Sequence, residues 1–143
     1  MSAPADLYRA VVVEHGRHPR NVGALPSATH VADGDNPLCG DALRVAVEVR
    51  GDRVAALRFS GESCAIATAS ASLMSERLTG ATLAEAGRIA DAVEALCATG
   101  VRLGPDVEAA LGDLVAFADV HRHPVRVGCA TLAWRTLRAA LRI

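Results

Sequence analysis

The chain has 143 residues, of which 51% are hydrophobic and 22% charged, with a formal net charge of −1. That length carries one domain with a core of its own and removes the small disulfide-scaffold class, and the composition excludes a disordered chain. A nearly neutral charge argues against a nucleic-acid partner, and all 15 basic residues are arginine, so any carboxylate recognition uses a planar fork.

The segment Met1 to Leu7 has no positively charged start followed by a long apolar run, so no secretory signal is expected. No apolar stretch approaches the roughly 18 residues of a membrane helix, which points to a cytoplasmic protein. Residues 3 to 14 set Leu7, Ala10 and Val11 at helical spacing and predict a helix ending near Gly16. "HGRHPRNVG", residues 15 to 23, reads as a loop, because Pro19, Asn21 and Gly23 break regular structure; His15 and His18 are read as part of it. A strand near residues 29 to 33 precedes strands over 42 to 50 and 53 to 60. The first of that pair alternates Leu43, Val45, Val47 and Val49 with Arg44, Ala46, Glu48 and Arg50, and Gly51-Asp52 is a tight-turn signal for a hairpin.

From Cys64 onward the pattern is helical. An Ala- and Ser-rich helix over 64 to 78 is suited to close packing. A second helix over 82 to 98 has Thr82 and Glu85 in capping-box spacing. A third, over 105 to 118, starts with Pro105 in its first turn. "HRHPVRVG", residues 121 to 128, reads as a break before a last helix over 129 to 142. Strands first and helices after predict an α+β fold, with helices packed on one face of a small antiparallel sheet of about three strands.

Four cysteines in a reducing compartment suit metal ligation or reactive thiols better than disulfides. Cys39 sits in a turn between Pro37 and Gly40, with Asp41 two residues on. Cys64 and Cys129 are both read as helix openers, where the macrodipole and unpaired N–H groups favour the thiolate. Cys97 falls in register with Ile89 and Val93 on an apolar helix face and reads as a small buried hydrophobe. Three cysteines at element edges plus Asp41 make the four ligands of a tetrahedral zinc site, although the spacing lacks the paired short arms of a zinc finger. The same residues also fit plain turn and packing roles. His121 and His123, close to Cys129, suit either a ligand or nucleophile pair or a solvated loop.

Taken together, "LYRAVVVEHGRHPRNVGAL" at 7 to 25, "NPLCGD" at 36 to 41, "FSGESCAIATASASLM" at 59 to 74 and "PVRVGCATLAW" at 124 to 134 carry a family likeness. The sequence resembles the SufU branch of the IscU/NifU-like iron–sulfur assembly proteins over nearly its whole length. In the scaffold branch a cysteine stands where this chain has Glu62, and a histidine directly precedes the last cysteine, where this chain has Gly128. The segment between Gly80 and Pro124 matches the SufU insertion, so a single domain over 1 to 143 with a helical insertion at about 81 to 123 is expected.

The resemblance implies zinc held by Cys39, Asp41, Cys64 and Cys129, and a sulfurtransferase working with a pyridoxal-phosphate cysteine desulfurase of the SufS type. It implies that a desulfurase histidine takes one zinc position on docking, freeing Cys39 to accept persulfide sulfur for downstream iron–sulfur assembly proteins. Arg126 matches the family's arginine three residues before the last cysteine, and a guanidinium there is expected to steady Asp41 or a partner carboxylate. The alternative is a scaffold that builds a [2Fe-2S] cluster on the same residues, since thiolates suit both metals. Ser63 and Gly128 depart from the family's usual glycine and lysine; the latter change removes a positive charge beside the site.

Overall fold

The computed structural model describes residues 4 to 101 and 104 to 143. Helix α1 spans Pro4–Arg17, strands β1, β2 and β3 span His30–Asn36, Asp41–Arg50 and Arg53–Glu62, and helices α2 and α3 span Ala65–Leu78 and Leu83–Thr99. Helix α4 (Pro105–Leu111), a 3-10 segment (Gly112–Arg122) and helix α5 (Pro124–Leu141) complete the chain. The three strands form one antiparallel sheet in the order β1-β2-β3. This is the expected α+β architecture. Ala3, the first residue of the helix expected over 3 to 14, lies outside the described residues.

The hairpin is built from its alternation: Leu43, Val45 and Val47 are buried while Ala42 and Arg44 face outward, and the pairing slips by one residue between Glu48 and Val49. The buried face of the sheet packs against α5 and α2, and α1 lies across α2. The loop after α1 extends the sheet edge, with Phe59 N donating to Asn21 O and Gly23 N to Phe59 O. Small residues do what their size permits on α2, where Ala67, Ala69, Ser70, Ala71 and Ser72 are all buried. Trp134 of α5 is fully buried there, its indole N–H donating to Ser70 Oγ at 3.1 Å while Ser70 donates to Ala130 O at 2.6 Å. Thr82 caps α3 as its spacing predicts, accepting Glu85 N at 3.1 Å.

Three boundaries differ from the sequence expectation. His15 belongs to α1 and is only 6% exposed, its Nδ1 2.8 Å from Ser72 Oγ. It continues the stripe of Leu7 and Val11 at helical spacing, and Ser72 satisfies its polar edge, so it is not a loop residue. The helix expected over 105 to 118 breaks at Gly112, whose φ of 58° no continuing α-helix adopts, and the chain proceeds as a 3-10 segment. The last helix starts at Pro124, five residues before Cys129. Proline is pre-set for a first helical position, so Pro124 marks a start within what reads as a break. No helix among the described residues is long and apolar enough to cross a membrane.

Candidate metal centre

The centre is assembled from the β1–β2 turn and the starts of α2 and α5. Asn36 ends β1 opposite Asp41, which opens β2. Between them the chain turns sharply: Asn36 O accepts Cys39 N at 3.1 Å and Gly40 N at 2.9 Å, and Asn36 Oδ1 accepts Leu38 N at 3.3 Å. The turn holds Cys39 half-buried and leaves Leu38 80% exposed at its tip.

Asp41 is 4% exposed, and its Oδ1 accepts the backbone N–H of Cys64 at 2.7 Å. Its Oδ2 is buried and has no hydrogen-bond partner among the described residues. Leaving a carboxylate oxygen dry and unpaired is costly, which makes this atom suited to ligating a cation. Cys64 is the N-cap of α2, its sulfur accepting Ala67 N at 3.4 Å, as a helix opener should. Cys129 is not a helix opener. It is the sixth residue of α5, beyond the four unpaired N–H groups of the helix start. The macrodipole argument therefore fails for it, and burial, reinforced by hydrogen bonding with Cys39 and Cys64, pushes its thiol up.

Cys39 Sγ and Cys129 Sγ lie 2.8 Å apart. Ligand atoms of Cys39, Asp41 and Cys129 all fall within 4.8 Å of one another, a spacing able to hold one metal ion. Cys64, the fourth expected ligand, is outside that triad, but it contributes its backbone N–H to Asp41 and its thiol to the surroundings of Cys129. Soft sulfurs beside one hard carboxylate oxygen suit zinc or an iron–sulfur unit. The buried, unpartnered Oδ2 is the structural reason to expect a cation here.

Arg126 is exposed and makes no hydrogen bond or ion pair among the described residues, so it does not reach Asp41. It instead lines an open cavity of about 470 Å³ with Tyr8, Arg9, Ile66, Asp119 and His123. Burial raises the Tyr8 hydroxyl, Arg126 opposes that, and the charges of Cys64, Cys129 and Cys97 add to it. Cys97 is fully buried away from the site, and burial pushes its thiol up to about 12. His121 is half-buried, its Nδ1 2.6 Å from Ala118 O; it is not a solvated loop residue.

One site residue escaped the sequence reading. Asn36 is 6% exposed, and its Nδ2 donates to Cys39 Sγ at 3.0 Å and reaches Cys129 Sγ at 3.9 Å. An asparagine before proline, three residues ahead of a cysteine, is a turn signal that could have pointed to it.

The profile of the NifU-like N-terminal domain matches residues 7–142. The chain is 36% identical over 131 residues to the zinc-dependent sulfurtransferase SufU of Bacillus subtilis, covering 92% of this chain and 86% of that protein. It is 34% identical over 136 residues to the iron–sulfur cluster assembly scaffold protein IscU of Streptococcus pyogenes, covering 95% and 83%. A crystal structure of an iron–sulfur cluster assembly scaffold protein for the SUF system from Fervidobacterium islandicum superposes with a TM-score of 0.86 at 30% identity, covering 97% of this chain and 99% of that one. With a family profile spanning nearly the whole sequence and relatives matched along most of their own length, the chain belongs to the NifU-like N-terminal domain family.

Proposed function

We propose that the protein is a zinc-dependent sulfur acceptor for iron–sulfur cluster assembly, taking persulfide sulfur from a cysteine desulfurase. The observation that carries this reading is the buried, unpartnered Asp41 Oδ2 beside the paired thiols of Cys39 and Cys129. Likeness to a relative named as a zinc-dependent sulfurtransferase supports it. Cys39, Asp41, Cys64 and Cys129 are the proposed ligands, and residues 81 to 123 are the proposed insertion of this branch. When bound, zinc supplies a Lewis acid that keeps the thiols deprotonated without a separate base.

Cys39 is the proposed acceptor because the turn leaves it half-buried, with the exposed Leu38 beside it, whereas Cys129 is buried. Its thiolate attacks the outer sulfur of the donor's persulfide. The new S–S bond forms as the donor's S–S bond breaks, the electron pair returns to the donor cysteine as thiolate, and no net oxidation occurs. Arg126, exposed beside the site, is proposed to receive a carboxylate of the donor enzyme.

Likeness to relatives named as scaffold proteins supports a second reading, a carrier of a [2Fe-2S] cluster on the same residues. Metal analysis of protein purified without added metal separates them. About one zinc per chain without visible colour supports the acceptor, while iron, sulfide and brown absorbance support the scaffold. Cys39→Ala is expected to keep the fold and lose sulfur uptake from a desulfurase; full uptake by that variant would overturn the mechanism.

A further inference from the structure

The site holds one polar side chain that neither binding nor acceptance has yet used, the carboxamide of Asn36. Its Oδ1 takes Leu38 N, which can only donate, so the two ends of the amide are not interchangeable and Nδ2 must face sulfur. Facing it across the site is Gly128 of α5, where an added Cβ would lie 2.9 Å from Asn36 Nδ2. A Cβ at 128 therefore cannot be added without the amide, or the backbone beside it, giving way. Among the described residues no side-chain amide reaches Cys64, whose sulfur accepts the backbone N–H of Ala67.

From these contacts we infer that Asn36 is a positioning residue that singles out Cys39 among the three thiols, and that Gly128 is the gap that admits it. An N–H donated to a thiolate fixes the direction of the sulfur and takes up part of its charge. Cys39 thus stays held on the Cys129 side of the site whether it binds metal or stands ready for sulfur. This inference rests on Cys39 being both ligand and acceptor.

Three variants test it: Gly128→Ala, Asn36→Ala and the double variant. Gly128→Ala favours the helix it sits in and leaves every backbone bond of the turn in place, so it keeps the test valid should Asn36→Ala fold poorly. Zinc retention against a chelator is expected to fall about 10- to 100-fold in either single variant. The thiolate-to-metal absorption band of the cobalt(II)-loaded protein is expected to move to longer wavelength as the N–H leaves the sulfur. After reaction with a desulfurase, peptide mapping is expected to find sulfane sulfur on Cys39 alone in the native chain and spread to other cysteines in the variants. In the double variant, the alanine at 128 should add nothing to the loss of the amide, because the two act through one contact. Native protein that takes up neither zinc nor cobalt would overturn the metal reading itself. Native protein that binds metal, with a Gly128→Ala variant matching it in retention, spectrum and sulfur placement, would overturn this inference alone.

Discussion

Asp41→Asn should move stability in opposite directions with and without metal. In the metal-free chain the substitution keeps the acceptor for Cys64 N and replaces the dry, unpartnered Oδ2 with a neutral group. An unsatisfied buried acceptor costs about 1–3 kcal/mol and a charged one more, so replacing it with a neutral amide should gain about 1–2 kcal/mol. At roughly 2.1 cal/mol/K per residue, unfolding of the 143-residue chain carries an entropy near 0.3 kcal/mol/K, so each kcal/mol is worth about 3 °C in Tm. Metal-free Tm should therefore rise by about 3–6 °C. Losing an anionic ligand should weaken zinc at least about 100-fold, removing about 2.7 kcal/mol, or roughly 9 °C, from the zinc-dependent increment. Thermal unfolding followed by circular dichroism, in chelator and in excess zinc, reads both quantities. A variant with lower metal-free Tm and an undiminished zinc increment would show that Asp41 serves the Cys64 cap and no cation.

The remaining expectations concern the frame around the site. Gly61 has φ 124°, and an added Cβ would lie 2.2 Å from Ala42 O, so Gly61→Ala should cost about 3 kcal/mol or more in urea unfolding; a near-neutral result would refute the close approach of β2 and β3 there. Burial, with help from Arg20, holds His15 below its ordinary value of 6.5, only partly offset by Glu76. The native state then binds fewer protons than the unfolded chain, so stability is full above pH 6.5 and declines as pH falls from there through the lowered folded value. His15→Gln should flatten that slope in a pH series of denaturant midpoints. Cys97→Ala should cost about 1 kcal/mol through lost packing and leave metal content unchanged, as elemental analysis would report; reduced metal would bring Cys97 into the site.

The hairpin and α2 were legible because their burial follows directly from alternation and from residue size. The start of α5 was not, since Gly128 and a proline inside a histidine-rich run resemble a loop, whereas packing against the sheet sustains the helix from Pro124. His15 differs for a related reason: it is followed by Gly16, Arg17 and Pro19, which resemble a loop, and only the fold reveals that Ser72, 57 residues away in sequence, satisfies it. Within the site, the sequence pointed to Cys39, Asp41 and Cys129, which the fold brings together. It gave no account of the amide between the thiols, because the contact of Asn36 with Gly128 joins a turn to a helix more than ninety residues away.

The lone tryptophan makes the protein its own optical gauge. Trp134 is sealed from water and anchored through Ser70 to Ala130, the residue directly after Cys129. Its emission is accordingly tied to how α5 seats on α2, the two helices that bring Cys129 and Cys64 to the centre. Any event at the thiols that slides one helix along the other changes the polarity around the indole, so the single fluorophore reads the site from behind without a label.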